Sequence, residues 1–178
     1  MARYSFYVLA LLLLAALSVA QSSDRIEVFG GYSYMAPDFI STAPSGGSGW
    51  HVSATVNVAR HIGNVADFSG FAPTGPACTC GAAFASYHTF MGGPQASIRF
   101  GKIKPFVQFL MGATRGSFTR ADAQFGGDFS LFTFGAGGGV DVGINRWIAV
   151  RGQVDWLHMG SPFSSNTART SVGLVFRF

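Results

Sequence analysis

Charged residues are scarce in this chain of 178 residues: they make up 11% of it, with 12 Lys and Arg against 8 Asp and Glu. A soluble globular domain carries charge on about a quarter of its residues, so an ordinary soluble fold is poorly supported. The formal net charge of +4 is too small to indicate nucleic-acid binding. Cysteine is also rare, with two residues, which excludes a small fold held together by several disulfides.

Long apolar runs and metal-binding or nucleotide-binding motifs are missing as well. Beyond the first twenty positions no run approaches the roughly 18 apolar residues that a membrane-spanning helix needs. The four histidines lack the HxxxH or HExxH spacing of a metal site, and the glycine-rich stretch at 135–139 lacks the lysine of a phosphate-binding loop. We therefore expect no metal, no cofactor and no nucleic-acid partner. Cys78 and Cys80 share one predicted loop, either bonded to each other or as two thiols.

The first twenty residues have the three parts of a secretory signal peptide. Arg3 supplies the positive start, residues 6–17 the apolar core, and Ser18, Val19 and Ala20 a small-residue cleavage site. No cysteine follows that site, so the pattern is not that of a lipoprotein signal. We predict a cleaved signal peptide over residues 1–20 and a single exported domain over residues 21–178.

The last twelve residues, TARTSVGLVFRF, alternate strictly between two faces. The apolar face consists of Val172, Leu174, Phe176 and Phe178. Alternation with a period of two over this length favours a half-buried strand. A last strand with a bare apolar edge would invite edge-to-edge pairing. In a closed barrel the last strand pairs with the first, so no edge remains.

Seven further segments are also predicted to be strands. Together with the last one they give eight predicted strands, at about residues 24–35, 50–59, 65–71, 84–98, 105–116, 129–142, 147–158 and 167–178. Their length is near that which a tilted strand needs to cross a bilayer. The longer linkers fall at about residues 36–49, 72–83, 117–128 and 159–166. The sequence thus predicts an all-β, eight-stranded antiparallel up-and-down transmembrane barrel, with these loops outside the cell and both termini in the periplasm.

The carboxy-terminal VFRF resembles the ending of bacterial outer-membrane β-barrel proteins of the small OmpA/OmpX-like type. The segments PFVQFLMGATRG and GVDVGINRWIAVRGQVDWLHMG are similar to members of the outer-membrane β-barrel domain family. The resemblance implies that the barrel-assembly machinery reads an assembly signal in the last strand, formed by Val172, Leu174, Phe176 and Phe178. It also implies an outer-membrane monomer surrounded by lipid and lipopolysaccharide.

The alternation places charged residues on the inward faces of the predicted barrel. They are Glu27, Asp67, Asp141, Arg151, Asp155, Arg169 and Arg177. Side chains can fill the lumen of an eight-stranded barrel, and buried charges require partners. We therefore expect an ionic network that plugs the lumen, formed mainly by Glu27, Asp141, Arg151, Asp155 and Arg169. A second set of bases falls at the predicted short turns: Arg60, Arg99, Lys102, Lys104 and Arg146.

Several functions are compatible with this fold. The main expectation is a non-enzymatic envelope protein that contributes to membrane integrity or surface interaction. A narrow diffusion pore is one alternative, and a soluble lipocalin-type barrel with the opposite polarity is another. A third is hydrolysis of lipid A, because barrels that deacylate it keep a Ser, a His and an acid where Asp155, His158 and Ser161 lie here. His158 and Ser161 are three positions apart rather than the two of that family, so we expect no catalytic site.

Overall fold

The computed structural model describes residues 26–36, 47–73, 82–120, 126–160 and 165–178. They form eight β-strands: β1 (Ile26–Met35), β2 (Gly47–Asn57), β3 (Ile62–Pro73), β4 (Ala82–Ser97), β5 (Ile103–Arg120), β6 (Gly126–Gly143), β7 (Ile148–Met159) and β8 (Ser165–Arg177). The predicted signal peptide and both cysteines lie outside the described residues. Within that part of the chain, no helix is long and apolar enough to span a bilayer.

The eight strands form one closed antiparallel barrel in which each strand pairs with its neighbours in sequence. β1 and β8 close the ring by pairing over nine positions. The predicted all-β fold, with its eight strands and its closure by the last strand, is thereby confirmed. Following the paired residues once around the ring from Asn57 leads back to β2 at Gly47, a displacement of ten residues. This stagger requires the strands to tilt against the barrel axis.

The two faces of the barrel wall have opposite polarity. On β7, Arg151, Gln153 and Asp155 are buried in the lumen, while Val154 and Trp156 are exposed on the outer side. The predicted faces of β1, β2, β6 and β8 follow the same rule. Charged side chains therefore line the interior, and exposed Val, Ile, Phe and Trp side chains cover the exterior. This is the polarity of a membrane barrel, and it does not fit the lipocalin-type alternative.

β5 and β6 extend beyond their predicted ends. The sequence predicts a polar loop over residues 117–128, whereas β5 continues to Arg120 and β6 begins at Gly126. That prediction is wrong for most of the loop, because the added residues pair in register, for example Ser117 with Asp128. The polar composition of residues 117–128 suggests a loop. A paired strand that faces water can nevertheless be polar, because it needs no alternation of apolar residues.

Candidate functional site in the barrel lumen

Among the described residues, eight charged side chains are buried inside the barrel, and none of these is more than 6% exposed. Four are carboxylates, namely Glu27, Asp67, Asp141 and Asp155. Four are cations, namely Lys104, Arg151, Arg169 and Arg177. The two signs balance within this set. Balance matters because removing an unpaired charge from water is energetically costly.

Arg169 is the centre of the first ionic group. Its guanidinium forms a bidentate pair with Asp67, with both N–O distances 2.8 Å. On the other side it donates to Asp155 Oδ2 from Nη2 at 2.7 Å and from Nε at 3.1 Å. Asp155 also accepts hydrogen bonds from Gln108 Nε2 at 2.8 Å and Gln153 Nε2 at 2.9 Å. The group thus connects β8 to its neighbour β7 and, across the lumen, to β3 and β5.

His51 extends this group toward β2 and β8. Its Nε2 lies 2.7 Å from Asp67 Oδ2, and its Nδ1 lies 3.1 Å from Ser171 Oγ. Ser, His and Asp follow one another here as in a nucleophilic relay. However, His51 is 0% and Ser171 1% exposed, and the Ser171 hydroxyl also hydrogen-bonds to Ser33 at 2.9 Å. A substrate has no access to this hydroxyl, so the arrangement serves packing.

The second ionic group surrounds Glu27 and Asp141 at the barrel end where the described chain begins and ends. Lys104 Nζ lies 2.6 Å from Glu27 Oε1, and Arg151 Nε lies 2.6 Å from Asp141 Oδ1. Arg177 completes the group at 3.5 Å from each carboxylate. The Arg151 guanidinium also lies over a Phe106 ring at 4.5 Å. Such a cation–π contact favours a cation that is already removed from water.

The five residues of the expected network all lie in the lumen, but in two groups rather than one. Asp155 and Arg169 belong to the first group, and the other three members belong to the second. The placement of Lys104 at a turn is wrong. β5 begins at Ile103, so Lys104 occupies its first inward position. The sequence suggests that β5 begins at Pro105, because proline favours the first position of a strand. In the structure two residues of β5, Ile103 and Lys104, precede Pro105.

An apolar cluster occupies another part of the interior. It consists of Met35, Val65, Phe71, Tyr87, Met91, Leu110 and Leu157. Leu110 and Leu157 are fully buried. The Tyr87 ring stacks on Phe71 at a centroid distance of 5.4 Å, and its hydroxyl lies 3.5 Å from Met35 Sδ. The sequence leaves the faces of β5 undetermined, and Leu110 shows which of them is internal.

The residues considered for lipid A hydrolysis do not come together. Asp155 points into the lumen, whereas His158 is half-buried on the outer side of β7. His158 packs against the Phe134 ring at 4.8 Å, and its Nδ1 lies 2.9 Å from Asn166 Oδ1. Ser161 lies outside the described residues. The proposed acid therefore cannot orient the proposed base, because residues three apart on a strand face opposite sides.

We predict that His158→Ala and Ser161→Ala leave the lipid A of the host membrane unchanged. The physical reason is that His158 lacks its acid partner, so it would not activate a hydroxyl. Mass spectrometry of lipid A from cells that express each variant and the unaltered chain checks this. A deacylated species that appears with the unaltered chain and disappears in both variants would contradict it.

No metal site is present among the side chains that the structure describes, where no group of three or more His, Cys, Asp or Glu residues could hold an ion. His51 meets a single carboxylate, that of Asp67, which already binds Arg169. The described lumen residues therefore form ion pairs and hydrogen bonds and include no ligand set for a metal.

No protein-family model matches this chain, and no curated protein does. Solved structures are similar to it. Neisserial surface protein A has a TM-score of 0.68 at 11% identity, over 88% of this chain and 98% of that one. The fold is that of the small outer-membrane β-barrels.

Two more structures share this barrel fold. The attachment invasion locus protein Ail of Yersinia pestis, in complex with the heparin analogue sucrose octasulfate, has a TM-score of 0.63 at 13% identity, over 88% of this chain and 100% of that one. OprG from Pseudomonas aeruginosa has a TM-score of 0.59 at 12% identity, over 90% of this chain and 98% of that one. Identities this low establish the shared fold and nothing about ligands.

Proposed function

We propose that this chain is a non-enzymatic outer-membrane β-barrel with a lumen closed by its own side chains. Its role is to contribute to envelope integrity or to surface interaction. One observation carries the proposal: the polarity of the barrel wall is the reverse of that in a soluble barrel, with buried ion pairs inside and exposed apolar side chains outside. The fold shared with outer-membrane barrels agrees with this role.

The exterior supports a membrane location. Val107 on β5 and Phe132 on β6 are each 64% exposed, and Tyr32 on β1, across the ring from β5, is 56% exposed. Contiguous exposed surfaces of this kind mark contact with a membrane or a partner, because in water they promote aggregation. The exposed side chains occur around the whole ring, which suits lipid better than a single protein partner.

The interior supports closure. Arg169 reaches from β8 to Asp67 on β3, and Lys104 reaches from β5 to Glu27 on β1. These contacts cross the lumen, which in a barrel of eight strands is just wide enough for side chains. A pocket of about 480 Å³ is lined by Ala54, Ala66 and Gly92. It opens on the outer wall of the barrel and is therefore not a channel through the lumen. Buried charges held in this way retain their position because each would lose its partner by moving.

Two measurements test the proposal. Boiled and unboiled membrane extracts are compared by gel mobility, and the purified protein is added to planar lipid bilayers. We expect a mobility shift on boiling, since a closed barrel without free edges resists detergent, and no conductance steps. A protein that shows no shift and remains in the soluble periplasmic fraction overturns the membrane location. Conductance steps that change in Arg169→Met would instead establish the narrow pore.

We also propose that assembly proceeds through β8. The side chains of Val172, Leu174, Phe176 and Phe178 are 41–65% exposed on the outer face of this strand. These side chains do not pack inside the barrel. The barrel-assembly machinery could therefore contact them before β8 pairs with β1. The local alternation and the pairing of β8 with β1 support this role.

Phe178→Ala is therefore expected to lower the amount of heat-modifiable barrel in the outer membrane. Phe100→Ala is the matched control, because Phe100 is 66% and Phe178 65% exposed at the same barrel end. Quantitative immunoblotting of unboiled membrane fractions gives the measurement. Refolding of the purified Phe178→Ala variant in detergent should proceed normally. Equal losses in both variants would contradict a specific role of Phe178.

A further inference from the structure

One end of the barrel is basic. Three short turns reach it, over residues 58–61, 98–102 and 144–147, and the ends of β1 and β8 lie between them. The turns carry five exposed basic side chains, those of Arg60, His61, Arg99, Lys102 and Arg146. In these turns and in the strand residues next to them, which the structure describes, there is no Asp or Glu apart from the enclosed Glu27 and Asp141. We call the surface formed by the three turns the basic rim.

The turns of the basic rim are held in fixed shapes. Phe100 and Ile103 exchange backbone hydrogen bonds of 2.7 and 3.0 Å around Gly101 and Lys102. Gly101 has a φ of 58°, which suits the first central position of a tight hairpin turn. In the next turn, Asn145 Oδ1 accepts hydrogen bonds from the backbone N–H groups of Trp147 and Ile148 at 2.8 and 2.7 Å. These hydrogen bonds hold the backbone that carries Lys102 and Arg146.

Large apolar side chains lie between the cations of the basic rim. Phe100 is 66%, Ile144 60% and Trp147 53% exposed. The Arg146 guanidinium lies 4.7 Å from the centre of the Trp147 ring. A soluble anionic polymer would pair with the cations and leave these apolar side chains in water. The boundary of a bilayer accommodates both, because its head groups are polar and the adjoining acyl chains are apolar.

We propose that the basic rim binds the phosphate head groups of anionic phospholipid in the membrane leaflet around it, with Lys102 and Arg146 as main contacts. The proposal rests on the membrane location proposed above. Basic side chains next to an anionic leaflet are attracted to it, and the aromatic and aliphatic neighbours fix their depth. Selective binding of this lipid at one end would hold the barrel at a defined height and orientation.

The test measures lipid selectivity in the folded, full-length mature barrel. The protein is inserted into phosphatidylcholine vesicles that contain a trace of spin-labelled phosphatidylglycerol or spin-labelled phosphatidylcholine. Electron paramagnetic resonance then gives the association of each probe with the protein. We expect the anionic probe to associate about threefold more strongly or better at low salt, and this preference to shrink at high salt because the cations are exposed.

Three variants identify the source of the preference. Arg60→Gln, Lys102→Gln and Arg146→Gln combined should bring the ratio close to one. The charge-conserving combination Arg60→Lys, Lys102→Arg and Arg146→Lys should retain it. Arg115→Gln should retain it as well, since Arg115 is exposed on the outer wall toward the opposite end of β5.

The outcomes separate the two proposals. A protein that never enters vesicles, shown by the absence of a heat-modifiable band, overturns the membrane location itself. An inserted barrel with equal association of both probes, or with a preference that the glutamine combination keeps, overturns the lipid-binding rim alone. Cation-dependent retention on purified peptidoglycan without lipid selectivity would overturn it in favour of a polymer ligand.

Discussion

Replacing Arg169 with Met is expected to lower the free energy of unfolding by about 3–5 kcal/mol, the range found when one partner of a buried ion pair is removed. Arg169 is 0% exposed and lies between Asp67 and Asp155. Without Arg169, the buried carboxylates of Asp67 and Asp155 lose the cation that they share. Methionine keeps much of the volume, so the effect reports charge rather than a cavity. Urea unfolding in detergent micelles, followed by tryptophan fluorescence, gives the measurement.

Two comparisons separate the buried charge from a general effect of losing an arginine. Arg115→Met removes an exposed guanidinium from the outer wall and should change stability by less than about 1 kcal/mol. Combining Arg169→Met with Asp67→Asn and Asp155→Asn removes the uncompensated charges and should recover part of the loss. If the triple variant is no more stable than Arg169→Met, the ionic account of this group is wrong.

Replacing Gly112 with Ala is expected to lower the free energy of unfolding by about 1–3 kcal/mol or more, because an inserted methyl group overpacks a closed wall. A Cβ at Gly112 would lie inside van der Waals distance of the Phe90 carbonyl oxygen and 2.7 Å from the Met91 Cα. Both atoms belong to the backbone of β4, which is itself paired on both sides. The neighbour therefore cannot move aside without opening the β4–β5 ladder.

Gly152→Ala is the matched control for this prediction. Gly152 also lies within a strand, but it is exposed and a Cβ there meets no atom within 4 Å. Its replacement should leave stability unchanged or raise it by about 0.5–1 kcal/mol, since alanine loses less backbone entropy on folding. Unboiled gel mobility and urea midpoints of both variants provide the comparison. Similar losses in both would show that glycine content, rather than close approach at Gly112, determines stability.

The two ionic groups and the apolar cluster are buried inside the barrel. Arg169 connects β8 to Asp67 on β3, 102 residues away in sequence, and to Asp155 on the neighbouring strand β7. We therefore expect this ionic group to help specify that β3 faces β8 across the lumen.

Local alternation is enough to predict the strand number, the closure and the faces of most strands. Alternation is a local property, and in β7 and β8 it separates residues such as Arg151 from Val154 without knowledge of the rest of the chain. The opposite orientation of Asp155 and His158 was also contained in the sequence, since an odd separation on a strand places two residues on different sides. The spacing of Asp155 and His158 alone therefore argues against a catalytic site formed by Asp155, His158 and Ser161.

The ion-pair partners, the orientation of β5 and the internal position of Lys104 depend instead on how the strands come together in the barrel. Arg169 and Asp67 are 102 residues apart, and their contact depends on the stagger around the ring. No local pattern fixes that stagger, because it is set when all eight strands pair and the first meets the last. The β5 segment is apolar on both faces, so its orientation likewise follows from its pairing with β4 and β6. Local chemistry therefore predicts which side chains enter the lumen, and ring closure determines which of them meet.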